Sequence, residues 1–314
     1  MFERCKKVKK LCCFNIILLF FQTAFAQITY DKVFVDYDSA IEFRNLKLIP
    51  VRIKGPSQPV EVMSFSAAMQ KGLVVVSERG SASTENVHWL RIKNNSKKAV
   101  FVGSGELVAG GRQDRVVTKD TVLAPDGKDQ YIEVMCVEEE RWSKKEKKFV
   151  YQNYANPKLR KVVDQSKNQV VIWREIFAQL DSTNTPAPTL SYVARRTEKK
   201  LITTQDQYMR FFRERMKKQD SSIVGFVCVT NETVMGSDIF ITPSLFYEEW
   251  EALLHGYVEE AIAFGKEPDL TDDQVRKYMD RFMKDETQQE QYLRKHGKLF
   301  RYKGKVIHLT SHHD

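Results

Sequence analysis

Residues 130–142 read QYIEVMCVEEERW, with Ile132, Val134 and Cys136 alternating against Tyr131, Met135 and Val137. A period of two marks a strand, because successive side chains leave a pleated backbone on opposite faces. Upstream, from Gln27 onward, the same texture persists. GLVVVSE (72–78) is a short continuous apolar run, which predicts a fully buried strand, and the turn-rich ERGSASTEN links it to VHWLRIKNN, where Leu90 and Ile92 share a face. AVFVG is expected to close that hairpin. DRVVTKDTVLA and QYIEVMCVEE form a further expected pair, joined by PDGKD with Asp126-Gly127 at the turn.

Downstream of Trp142 the apolar period becomes helical. NPKLRKVVDQSKNQVVIWREIFAQL predicts one long helix capped by Asn156, with Pro157 in its first turn and Leu159, Val162, Val163, Val170, Trp173, Ile176, Phe177 and Leu180 near one face. DSTNTPAPT (181–189) reads as a surface loop. A second helix is expected from about Thr204 to Lys218, burying Tyr208, Phe211, Phe212 and Met216. SIVGFVCVTNETVMGSDIF returns to strand as a hairpin around Asn231. A helix capped by Thr242 follows, with an apolar stripe of Leu245, Phe246, Trp250, Leu253, Leu254, Tyr257 and Ala261, and then a helix opened by a Thr271 to Gln274 capping box. FRYKGKVIHL ends the pattern as a hairpin turning at Lys303-Gly304. The fold class is α+β, with an antiparallel β-rich N-terminal half packed with a mainly helical C-terminal half that returns β-hairpins. Residues 27–314 read as one such domain, β-rich over 27–142 and helical with hairpins over 143–314.

The chain opens with a basic stretch, MFERCKKVKK, then an apolar run ending Ala24-Phe25-Ala26. This has the form of a secretory signal peptide over residues 1–26, cut before Gln27, which predicts an extracytoplasmic protein, periplasmic or secreted, touching membrane only through that transient segment. Its removal lowers the net charge from +9 to +5, a modest excess spread along the chain, so no nucleic-acid partner is expected. After Ala26 the cysteines are Cys136 and Cys228, each inside an apolar run, which excludes a CxxC metal cluster and suits buried thiols better than a bridge. The six histidines are scattered. His255 reads as a packing residue, and His312-His313-Asp314 as a frayed terminus.

The densest mixture of glycine and charge is GSGELVAGGRQDR, starting at Gly103. Gly103, Gly105, Gly110 and Gly111 permit positive φ and close approach of another chain segment or a ligand. There is no GxxxxGK[ST] loop, no dinucleotide fingerprint, no HExxH and no recognisable nucleophile context, so no cofactor or metal can be assigned. Charges among strand-forming residues must neutralise one another or face a ligand. Alternation would put Glu138 on the apolar face of its strand, with Arg112, Arg115 and Arg141 as available partners, and would send Asp114 to the face opposite Gln113 and Arg115. Trp142 could cap the core or stack on a base or sugar.

GSGELVAGGRQDR followed by CVEEERW resembles the bacterial and archaeal family of ADP-ribosylglycohydrolase- and rhodanese-phosphatase-superfamily-associated proteins, and GFVCVTNETVMGSDIF extends the likeness to about residues 72–264. The resemblance implies a nucleotide or ADP-ribose-like ligand. It carries over Glu106, Gln113, Asp114, Arg115, Glu138, Arg141 and Trp142. Of the site residues, Glu106, Asp114 and Glu138 are the candidate catalytic acid/base groups, and Gln113, Arg115, Arg141 and Trp142, with Gly110 and Gly111 from the glycine reading above, are the candidate ligand-binding positions. Two functions follow as expectations. One is a charged pocket that binds or hydrolyses a small nucleotide or phosphosugar. The other is a non-catalytic extracytoplasmic binding or interaction module whose glutamates and arginines form a structural lattice.

Overall fold

The computed structural model describes residues 27–57, 60–80, 86–216 and 220–313. The expected signal peptide, part of the 78–86 connector, the end of the helix expected to reach Lys218, and Asp314 lie outside them. In chain order the elements are β1 (Val33–Val35), β2 (Ile41–Phe43), β3 (Leu46–Ile53), β4 (Val62–Ser64), α1 (Phe65–Gln70), β5 (Val74–Glu78), β6 (Trp89–Asn94), β7 (Ala99–Val102), β8 (Glu106–Gly111), β9 (Arg115–Val117), β10 (Thr121–Leu123), β11 (Asp129–Cys136) and β12 (Lys147–Tyr154). Then come α2 (Pro157–Ser166), α3 (Gln169–Ser182), α4 (Lys199–Arg215), β13 (Ile223–Thr230), β14 (Thr233–Phe240), α5 (Pro243–Phe264), α6 (Asp272–Met283), α7 (Glu286–His296), β15 (Gly297–Tyr302) and β16 (Lys305–His312). The architecture is α+β.

A seven-stranded antiparallel sheet runs β1-β3-β13-β14-β16-β15, with β2 also on β3, so strands from both ends of the chain share it. Its two faces carry separate cores. Leu46, Leu48, Phe226 and Cys228 pack against α4 and α5, while Ile49, Val51, Val227 and Val229 face Val275, Met279 and Phe282 of α6. Burial on both faces explains why β13 is apolar almost throughout. A six-stranded sheet, β12-β8-β9-β11-β6-β5, and a small one, β10-β7-β4, enclose a third core, and α2 with α3 covers the outside of the six-stranded sheet.

Local chemistry accounts for most helix boundaries. Asn156 accepts from the Leu159 amide, Thr242 from the Leu245 amide, and Thr271 with Gln274 makes the full capping box. The α5 stripe is buried throughout. Cys136 and Cys228 are buried free thiols.

Six expectations change. The single helix after Asn156 is two, because Lys167 takes a left-handed conformation and Asn168 caps a new start, accepting from the amides of Val170 and Val171. The break rotates the second stretch, leaving Val170 and Phe177 exposed. The helix expected at Thr204 begins at Lys199. β5 is an edge strand with Val75 half exposed, and β7 leaves its expected hairpin to pair with β10 and, in parallel, β4. The Asn94 side chain holds that exit by donating to the carbonyls of Lys98 and Leu123. β10 accordingly does not pair with β11, which takes β9 and β6 instead. His312 is no frayed end, since it lies buried in β16 beside Asp164.

Candidate functional site

The residues singled out between Gly103 and Trp142 fall into two separate groups. The first gathers where β8 turns into β9. Arg141 donates from Nε to Glu138 at 2.6 Å and from Nη2 to Asp114 at 2.9 Å and to the Gly110 carbonyl at 3.1 Å. Asp114 also accepts from the Gly110 amide and the Ser191 hydroxyl, and Glu138 from the Thr189 hydroxyl at 2.6 Å and the Asp114 amide at 3.2 Å. Gln113 donates to the Glu138 carbonyl, and fully buried Arg115 lies 3.6 Å from Glu78. Burial pushes the Asp114 carboxyl up, with the Gly110 amide and Arg141 working against it. Every charge in this group has a protein partner of opposite sign or a hydrogen bond.

The two glycines serve the same packing. Gly110 (φ +123°) and Gly111 (φ +50°) sit where a Cβ would lie 2.4 Å from the Lys148 carbonyl oxygen and 2.1 Å from the Phe149 ring. The close approach they allow is to β12. Trp142 is 44% exposed, with the Arg112 guanidinium 5.9 Å from its ring, so it caps no core. Glu138 lies beyond the end of β11, in an isolated bridge to Ser191, so strand alternation did not govern its direction.

Glu106 belongs to the second group, which lies deeper. It accepts from the Gly103 amide and the Tyr151 hydroxyl, both at 2.7 Å. Nearby Glu249 accepts from the Tyr154 hydroxyl at 2.9 Å. Burial raises Glu106 to about 8, and burial together with the Glu106 charge lifts Glu249 well above the carboxylate range. Adjacent to this pair, Asp238 of β14 takes a two-point contact from Arg160 of α2, at 2.7 and 2.8 Å, and further bonds from Tyr257 and Thr310. His308 stands between Asp238 and Asp120, 3.1 Å from each. One turn along α2, Asp164 meets Ser104, Lys298 and His312 at 2.7, 2.8 and 2.6 Å.

Geometry fixes the charges here. Burial opposes ionisation of Asp238, yet Arg160 and His308 hold its carboxyl well below the usual range, and Lys298 with His312 does the same for Asp164. Burial disfavours His308 as a cation, but the bonds to Asp120 and Asp238 outweigh it and raise its pKa. His312 goes the other way, lowered by burial despite Asp164. The network ties α2, β14, β16 and the β9–β10 connection together with charge-assisted bonds.

Asp120, Asp164, Asp238, Glu249, Arg160, His308 and His312 were not singled out in the sequence, though a signal was there. All but Asp120, which lies in the polar run Thr118-Lys119-Asp120-Thr121, interrupt an apolar pattern. Glu249 sits one turn from Phe246 and Leu253, Asp238 alternates with Phe240, Arg160 and Asp164 are spaced i,i+4 on the face of α2, and His308, Thr310 and His312 alternate along β16. Among the described residues no group of three or more His, Cys, Asp or Glu side chains could hold a metal ion, and no helix is long and apolar enough to cross a membrane.

Cavities open elsewhere. One of about 500 Å³ lies between the edge strands β5 and β12. Another of about 480 Å³ lies between α1, α4 and α5, beside His255, whose pKa burial depresses to about 3. A third, of about 250 Å³, is lined by the start of α2, Glu175, Met235, Glu260, His312 and His313. Burial raises Glu260 to about 7, partly offset by the Lys158 amide that donates to it.

Compared with known protein families, residues 34–312 match the model described as ARG and Rhodanese-Phosphatase-superfamily-associated Protein domain. No curated protein and no solved structure matches the chain.

Proposed function

The chain belongs to that family, and from this premise we propose that it is a non-catalytic extracytoplasmic binding module in which residues 103–142 form a structural lattice. The observation that carries the reading is Arg141, whose guanidinium is divided between Glu138, Asp114 and the Gly110 carbonyl. A phosphate-binding arginine keeps its two-pronged donor face for the ligand. This one would first have to abandon two carboxylates, which would leave buried acids without their cation. The rest of the group is similarly committed, and its glycines are filled by β12.

A second reading, a nucleotide or ADP-ribose-like ligand held by Arg115 and Arg141 with Glu106, Asp114 or Glu138 as acid/base, draws on the association recorded in the family's description. One experiment separates the two. Thermal shifts of the full chain would be measured with ADP-ribose, NAD, AMP, sugar phosphates and divalent metals, then repeated on Arg141→Met and Glu138→Gln. A ligand at 100 times its Kd stabilises a fold by roughly 2.7 kcal/mol, well within reach of the assay. The lattice reading expects lower melting temperatures in both variants and no nucleotide shift that depends on either residue. An ADP-ribose shift lost in variants that still fold would replace it with the second reading. The compartment is tested by N-terminal sequencing of protein recovered outside the cytoplasm, where Gln27 is the expected first residue and a retained Met1 would count against export.

A further inference from the structure

We propose that the 250 Å³ cavity at the start of α2 is a binding site for a small zwitterion of the α-amino-acid class, its ammonium taken by Glu260 and Glu175 and its carboxylate by Lys161 and Lys158. The inference rests on reading the chain as a binding module and supplies the ligand chemistry that reading lacks.

Two ammoniums and two carboxyls border this cavity, close enough for the Lys158 charge to act on Glu260 but without a direct ion pair between them. Lys158, Lys161, Glu175 and Glu260 all line it, yet among the described residues neither lysine lies within 4.0 Å of either carboxylate. Glu260 is only 6% exposed. One of its oxygens accepts from the Lys158 amide at 2.8 Å, and the other has no hydrogen-bond partner among the described residues. That oxygen is not sealed into the protein interior, so a nine-tenths buried carboxylate presents one free acceptor to the cavity.

Each remaining group is partly engaged in a way that leaves capacity. Lys161 spends one of three ammonium donors on the His313 carbonyl at 2.7 Å, and Lys158 rests its ammonium 4.0 Å from the Phe264 ring centroid. Glu175 takes one bond, from Gln179 at 2.7 Å. His312 is turned to Asp164 and contributes no positive charge, since burial lowers its pKa. The wall is divided by sign, with two ammoniums facing two carboxyls, and because burial raises Glu260 to about 7 an ammonium placed beside it would draw it into its ionised form. A ligand carrying both charges a few bonds apart satisfies both sides.

Size and apolar lining narrow the class. At about 250 Å³ the cavity lies just below the range usual for drug-sized ligands, which favours a small one. Met235, Val162 and Pro157 offer an apolar wall for a short aliphatic side chain.

The test is calorimetric titration of the full chain with L-alanine and L-valine, alongside propionate and ethylamine as the separated halves, and inorganic phosphate. Saturable binding of an amino acid, at least about tenfold tighter than either half and weakened at least about tenfold by Glu260→Gln and by Lys161→Met, is the expected result. Lys161 is partly exposed, so its variant should keep the fold if the Glu260 variant does not. Circular dichroism checks both. No saturable amino-acid binding, binding unchanged in the folded variants, or phosphate binding more tightly than the amino acids would each overturn the proposal. An ADP-ribose shift indifferent to Glu260 and Lys161 but lost in Arg141→Met would overturn the module reading as well.

Discussion

Glu106 makes stability depend on pH in the direction opposite to most carboxylates. Its acid is raised from an ordinary 4.5 to about 8 by complete burial, with Asp120 adding to the shift and the bonds from Tyr151 and Gly103, together with Arg160, opposing it. The folded state thus holds this proton more tightly than the unfolded chain. Its contribution is complete below the unfolded value of about 4.5 and is lost as pH rises through about 8. A single such group changes stability by about 1.4 kcal/mol per pH unit inside that window, for a ceiling on the order of 5 kcal/mol. Glu249 titrates with it, so the slope belongs to the pair. His308, raised above its ordinary value, also stabilises less as pH climbs past about 6.5, while His312, lowered, stabilises more as pH climbs toward that value, which is why the comparison must be with a variant. Glu106→Gln keeps an acceptor for the Gly103 amide and presents a donor to the Tyr151 oxygen, so it should stand within about 1 kcal/mol of wild type near pH 6. Urea unfolding from pH 5 to pH 8.5 is the assay. The wild type should lose stability more steeply than Glu106→Gln, and parallel profiles, or a wild-type profile that rises relative to the variant, would refute the assignment of a proton to this pair.

Three other perturbations probe the same architecture. Asp238→Asn removes the counter-charge of wholly buried Arg160 and one of the two aspartates on His308, and should cost about 3–5 kcal/mol in denaturant unfolding. Gly103→Ala would place a methyl 2.1 Å from the Tyr154 hydroxyl and push that ring from Glu249, a loss of about 1–3 kcal/mol by the same measurement. Both thiols are fully sheltered and raised by burial, so a thiol reagent should label Cys136 and Cys228 only at the rate of unfolding, and rapid labelling of native protein would contradict their packing.

Much of the fold was legible because its signals are local. Caps at Asn156, Thr242 and Thr271 act within four residues, and the hairpins at Asn231 and Lys303-Gly304 are set by residues that accept positive φ. The path of β7 was not legible, since Asn94 redirects it by bonding to Leu123, which lies across another strand. The break at Lys167 hid inside a continuous helical period, because a lysine seldom adopts the left-handed conformation that ends α2. At the site, Arg141 and Glu138 are neighbours in sequence and in space, and the expectation that charges among strands neutralise one another holds for Asp114, which joins them from 24 residues upstream of Glu138. The larger charge network escaped because its members come from β14, β16, α2, α5 and the β9–β10 connection, and only the sheet brings Asp120 within reach of His308.

The order of the seven-stranded sheet also bears on how the chain can fold as it is made. Leu48 pairs with Cys228, and Gly236 with His312, so although β3 has β2 and β16 has β15 as local partners, each finds its other neighbour only across a long stretch of sequence. Loop closure of that length is slow, and it cannot be completed on a growing chain until β16 has emerged. Until then β14 carries an open edge, and β3 waits for β13. A chain ended before Lys305 would lose an inner strand together with buried His308 and His312 and a wall of the α2 cavity, and the product to expect is an aggregating intermediate with one sheet edge exposed.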